Sequence, residues 1–113
     1  MAARRPSRRR PLDDAIGRLM SLAARGVQPN RMAREVEAIA GEWLGAEDAD
    51  PSAVREQLDE LRERLAAGVG DAEEQLADID TSEPAAVKQA QATLAALVAT
   101  RDATQRALAS IRS

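Results

Sequence analysis

The densest chemical feature of this sequence is a set of five guanidinium groups in seven positions, Arg4, Arg5, Arg8, Arg9 and Arg10, with no acid among residues 1–10. Charge packed this closely neutralises phosphates and gains affinity by releasing their counterions, so any such binding falls steeply with salt. No side chain of this stretch is suited to reading base edges, and no aromatic is present to stack on a base. The same charge also fits an acidic protein surface. Anionic lipid is a weaker fit, because a second anchor is missing. The plainest role for the stretch is a solubilising tail.

Catalytic groups are sparse by comparison. The chain has no His and no Cys, so the commonest general base and the thiol nucleophile are both absent. Lys88 is the only lysine, and nothing around it in sequence suggests an apolar pocket that would lower its pKa. No serine sits in a nucleophile-elbow pattern. Asp59-Glu60 and Glu73-Glu74 are adjacent carboxylates, the ligand type that Mg²⁺ and Ca²⁺ take, but EF-hand spacing is lacking. On a helix such charges usually form a solvated face, and Glu60 with Arg64 is an ordinary i,i+4 pair. Gly68 and Gly70 follow no strand and do not make a phosphate loop. Gly41 and Gly45 have GxxxG spacing outside any apolar stretch. We therefore expect no catalytic, cofactor-binding or metal-ligating residue, no cofactor, no small-molecule substrate and no enzymatic activity.

The elements that carry these residues follow from composition. In 113 residues Trp43 is the only aromatic, about a fifth of the chain is alanine, and good helix formers dominate the rest. Residues that build sheets are scarce. The expectation is an all-α chain: a small helical bundle built on a long antiparallel hairpin, about 51–80 and 84–112, with two shorter helices at about 11–25 and 30–44. Residues 1–10 would be an arm that is disordered when free, and 11–113 a single helical domain. A core of Ala and Leu is thin, so self-association or a partner would add burial.

Local signals place the helices. Pro11 opens the first, with Asp13 and Asp14 in its first turn, and Gly26 caps its end. Asn30 is the candidate N-cap of the second, whose apolar face is Met32, Val36, Ile39, Ala40 and Trp43. Asp50-Pro51 starts the third. Its stripe of Val54, Leu58, Leu61, Leu65, Val69, Ala72, Leu76 and Ile79 is a heptad-like repeat with one irregularity beside Gly68 and Gly70, where we expect distortion without a break. A turn at Asp80-Thr81-Ser82-Glu83-Pro84 leads into the fourth. Its seam of Val87, Ala90, Leu94, Leu97, Arg101, Thr104, Leu108 and Ile111 alternates steps of three and four. Pairing outward from Ser82 sets Leu97 beside Ala67 and Leu108 beside Glu56 or Leu58. It also sets Arg101 against Glu63 or Glu60, where an ion pair is expected.

Charge is uneven: residues 47–83 hold thirteen acids against Arg55, Arg62 and Arg64, although the whole chain carries only −3. The chain reads as a basic arm on an acidic body. The expected function is a non-catalytic helical adaptor or regulator. Its coiled-coil-like hairpin would bind a protein partner or a second copy, through Trp43, Leu94, Leu97, Arg101, Thr104 and Leu108. Arg4, Arg5, Arg8, Arg9 and Arg10 would attach it to nucleic acid or to an acidic partner. Trp43 is read first as a core anchor and only second as an interface hot spot. The alternative is a small DNA- or RNA-binding protein that uses the arm and a helix-turn-helix at 12–44 with Arg31 and Arg34, against which stand Pro29 in the turn and Glu35, Glu37 and Glu42. A structural or assembly subunit is a third possibility. No apolar run is long enough to span a bilayer, and no hydrophobic stretch follows the basic start as in a secretory signal. Pro6 and Pro11 speak against a transit peptide. The expected location is the cytoplasm.

Overall fold

The computed structural model describes the backbone of residues 9–111 and the side chains of residues 11–111. Four helices account for nearly all of it: α1 Arg9–Ala24, α2 Pro29–Gly45, α3 Pro51–Asp78 and α4 Pro84–Ser110. No strand occurs among the described residues. The all-α bundle expected from composition is the observed class.

Three of the four helices begin with proline at a position where the missing N–H costs nothing. The exception corrects one expectation. α1 is helical from Arg9, the first described residue, so Arg9 and Arg10 belong to the helix and Pro11 does not open it. The first-turn N–H groups have no intrahelical acceptor, so proline is tolerated there as well as at the first position. Asp13 and Asp14 consequently fall beyond the first turn. A second correction concerns α2. Gln28 is its N-cap, in an extended conformation (φ −56°, ψ 139°), and Pro29 takes the first position, so Asn30 caps nothing. Proline pushes the residue before it out of the α region, and this sets the boundary one residue earlier.

The α1–α2 connection is a Schellman turn. Gly26 has φ +70°, its N–H donates to the Ala23 carbonyl (2.9 Å), and the Val27 N–H reaches the Leu22 carbonyl (3.3 Å). Gln89 Nε2 on α4 donates to the Ala24 carbonyl at 2.8 Å and satisfies another open acceptor at this helix end. Asp50 caps α3 by accepting from the Ser52 N–H (3.1 Å), as its position suggests.

α3 runs unbroken through Gly68 and Gly70. Gly68 is buried, and a Cβ there would lie 3.1 Å from Met20 Cε. The gap in the side-chain stripe thus gives α1 room to approach. Val69 and Ala72 carry the buried face onward on the far side of Gly68, and tertiary packing keeps the helix intact.

α3 and α4 form the antiparallel hairpin and share the largest interface; α4 also packs against α2, and α1 touches all three. A side chain at Gly68 would also approach Leu97 Cδ1 (4.0 Å), and Leu108 lines a groove with Glu56 and Asp59. Leu97 and Leu108 thus lie near the stretches of α3 that the sequence pairing expects. What differs is the rotation of α4. Its buried residues are Ala96, Leu97, Thr100, Ala103 and Thr104, a band wider than the expected seam because α2 covers a second side. Thr100 and Thr104 donate to the carbonyls four residues back, Ala96 (2.6 Å) and Thr100 (2.8 Å). Among the described residues no buried side-chain polar atom lacks a partner. The molecule measures 59 × 33 × 19 Å, about two helix diameters thick.

Two glycine substitutions should act in opposite directions. Gly70→Ala places a methyl in open space on a helix interior and is expected to stabilise by about 0.5–1 kcal/mol. Gly26→Ala forces a side chain into φ +70° and is expected to destabilise by about 1 kcal/mol or more. Urea unfolding followed by circular dichroism measures both.

Candidate functional site

The arm lies mostly outside the described residues. Arg4, Arg5 and Arg8 fall there, while Arg9 and Arg10 form the opening of α1. The other singled-out residues divide between two places.

The first is the hairpin. Leu97 and Thr104 are buried within the bundle, and Leu94 and Leu108 are half-buried against it. Leu108 sits over a groove with Arg55, Glu56, Asp59, Arg62, Gln105 and Ala109. Arg101 does not form the expected ion pair with Glu60 or Glu63. Its guanidinium pairs with the adjacent Asp102 (Nη2–Oδ1 3.2 Å) and stays 36% exposed, while Glu60 faces Arg64 at 3.8 Å. With Thr100 and Thr104 turned inward, Arg101 is left at the rim. Drawing its charge inside a core this thin would cost more solvation than a single carboxylate returns.

Past Ala72 on α3 and before Ala96 on α4 no side chain is fully buried. Leu76, Ile79, Val87 and Ala90 are half-buried and stand outside the continuous core. Gln89 and Ala92 mark the level reached by the end of α1. The hairpin tip thus extends past the cover of the shorter helices. At the turn, Asp80 Oδ1 accepts from the Ser82 N–H (2.9 Å), and the Glu83 N–H donates to the Asp80 carbonyl (3.1 Å).

The second place is a groove of about 510 Å³ between α1 and α2, lined by Pro11, Asp14, Ala15, Arg18, Glu35, Ala38, Ile39, Glu42 and Trp43. The opening of α1 lies beside the end of α2, as in an antiparallel pair. Trp43 is half-buried here and packs against the core edge with Ile39. Toward the other end of the groove, Arg18 holds Glu35 through Nη2 (3.0 Å) and Nε (3.2 Å), both to Oε2. Asp14 and Glu42, near the indole, have no ion-pair or hydrogen-bond partner among the described residues. Sequence reasoning singled out Trp43 but not the carboxylates around it. Glu35, Ile39, Glu42 and Trp43 do share one helical face, a signal present in the spacing. That Asp14 and Arg18 close the other wall depends on packing between helices and has no sequence signature.

Arg31 and Arg34 are exposed on α2. No group of three or more carboxylates is positioned to hold a metal ion among the described residues, and no helix described is long and apolar enough to cross a membrane.

No protein-family model, curated protein or solved structure matches this chain.

The turn gives a pH prediction. The Asp80 carboxyl is held below the ordinary aspartate value of 3.8, first by the Ser82 N–H and then by the Ser82 side chain. A depressed folded-state pKa contributes stability above the unfolded value and loses it as pH falls through the folded one. Asp80→Asn should therefore make the loss of stability shallower in the acid range below about pH 4, measured by urea midpoints from about pH 6 to about pH 2. An unchanged slope would show that the Ser82 contacts do not persist in solution.

Proposed function

We propose that this protein is a non-catalytic helical adaptor or regulator whose hairpin binds a protein partner or a second copy of itself, with the basic arm adding electrostatic attachment. The observation that carries this reading is the hairpin tip. Leu76, Ile79, Val87 and Ala90 are half-buried there, and α1 and α2 do not cover them. Half-covered apolar side chains at the end of a rigid lever are suited to completing their burial against another helix. The surface favoured for contact thus moves from the middle of α4, where Leu97 and Thr104 are occupied by the fold, toward the tip.

The thin core supports the same reading. Seven of its buried residues are alanines, Ala15, Ala23, Ala40, Ala53, Ala72, Ala96 and Ala103, and each contributes little area. A partner helix would add burial that the chain does not supply alone. The arm contributes charge without shape, so its part is rate and attachment more than specificity.

Site-specific photo-crosslinking tests the hairpin. A benzophenone side chain is placed at exposed Ala77 or Ala85 near the tip, with exposed Glu37 on α2 as control. In an extract of the source cells the tip positions should give one discrete adduct that Glu37 does not, its mass telling a second copy from another protein. Absence of a tip-specific adduct would overturn the hairpin reading. The arm is tested by anisotropy of labelled duplex DNA and RNA over a salt series, with and without residues 1–10. Weak binding that needs the arm and vanishes at moderate salt fits an auxiliary role. Tight binding that survives removal of the arm would make nucleic acid the main ligand, through Arg31 and Arg34.

A further inference from the structure

The groove between α1 and α2 faces the point where the arm leaves the bundle. Pro11, near the opening of α1, is part of the groove wall, and residues 1–8 precede that helix in the chain. Beside it stand Trp43, half-buried, and the carboxylates of Asp14 and Glu42, which are without partners among the described residues. Among the described residues the one cation in the wall, Arg18, is already committed to Glu35. The groove therefore offers two carboxylates without a partner among the described residues and an aromatic face, a combination that receives guanidinium groups. We propose that this groove is the docking site of the protein's own arm, with Arg4, Arg5 and Arg8 seated on Asp14, Glu42 and Trp43.

Length and charge both permit it. Extended chain from Arg8 back to Arg4 spans up to about 14 Å, while α1 from Pro11 to Arg18 rises about 10 Å. An arm held in cis competes at the high effective concentration of a short tether, which dissolved basic peptides do not match. The arm then has two states. Docked, its arginines are matched by the groove; released, they are available to a more strongly anionic ligand. Salt weakens the docked state because these are largely exposed ion pairs. This inference does not depend on the hairpin reading, and its test requires no partner.

Trp43 is the only fluorophore of its kind in the chain, which has no Tyr, so the site reports on itself. Acrylamide quenching and the emission maximum are measured at neutral pH and low salt for the full chain, for a chain lacking residues 2–8, and for Arg4→Gln/Arg5→Gln/Arg8→Gln. An Asp14→Asn/Glu42→Gln variant and its combination with the deletion complete the set, with circular dichroism verifying that helix content is kept. Deletion, arginine replacement and carboxylate replacement should each raise quenching and shift emission to the red, and the combination should exceed neither parent. High salt should produce the same change in the full chain and none in the deleted one. Quenching unchanged by deletion overturns the proposal. A change that disappears on dilution also overturns it, by assigning the groove to the arm of a second copy. The arginine variant keeps the test decisive if the groove variant alters the fold, because its substitutions lie outside the described bundle.

Discussion

The structure depends on α4 being narrow where other helices meet it. α3 lies along one side and α2 along another, and the residues between them are Ala96, Leu97, Thr100, Ala103 and Thr104. Interhelical distance is set by the side chains at the contact. Alanine and threonine allow both neighbours to approach, and a larger residue at any of these positions would push one away. The cost of threonine is a hydroxyl in an apolar place, worth about 1–3 kcal/mol if left unpaired. Each hydroxyl avoids this by bonding to a carbonyl of its own helix, so neither neighbour needs to supply an acceptor. The two sides of α4 can therefore be packed independently.

A narrow centre limits what surrounds it. Small side chains bury little area, and helices that approach closely leave no volume for an enclosed pocket. The slab is accordingly 19 Å thick, and its principal hollows are grooves between helix edges. The two short helices cannot cover two long ones. Met20 on α1 reaches over Gly68, and the end of α1 is tied to α4 by Gln89, but the tip beyond that level has only α3 and α4 to bury each other. The open groove at Trp43 has the same origin. The α1–α2 contact is slight, and the indole, too large for this core, is left at its edge.

Periodicity and capping made most of the architecture readable in advance. Leu58, Leu61 and Leu65 recur at spacings that only a buried helical face explains, and all three are fully buried. Gly26 and Asp50 act as the caps their residue types imply. The errors on α4 share a cause. Arg101 and Thr104 stood on one heptad seam in sequence, yet one lies at the rim and the other inside. A heptad reading assumes one partner per helix, whereas α4 has two, and its inward direction is the resultant of both. Ala96, Thr100 and Ala103 were invisible for the same reason, since small and hydroxylated residues carry no hydrophobic signal until a second helix covers them. The groove was half legible. Its α2 wall follows from spacing, and its α1 wall required knowing which faces of two short helices meet.

The same thinness links stability to binding. A ligand that binds the folded bundle and not the unfolded chain raises its stability by RT ln(1 + [L]/Kd). For a protein with a large core this increment is marginal. Here the buried side chains are mostly Ala, Val and Leu, so burial by a partner against the half-covered tip is a larger fraction of the whole. The contact is also selective in where it acts. Leu76, Ile79, Val87 and Ala90 lie outside the continuous core, so covering them strengthens the end of the bundle that its own packing leaves weakest. In the proposed function the arm would act from the opposite end of α1, through charge and not burial. An electrostatic contact at one end and an apolar one at the other respond differently to salt and temperature. On the proposed reading, a chain of this size would bring a partner in by charge and hold it by burial without one interaction weakening the other.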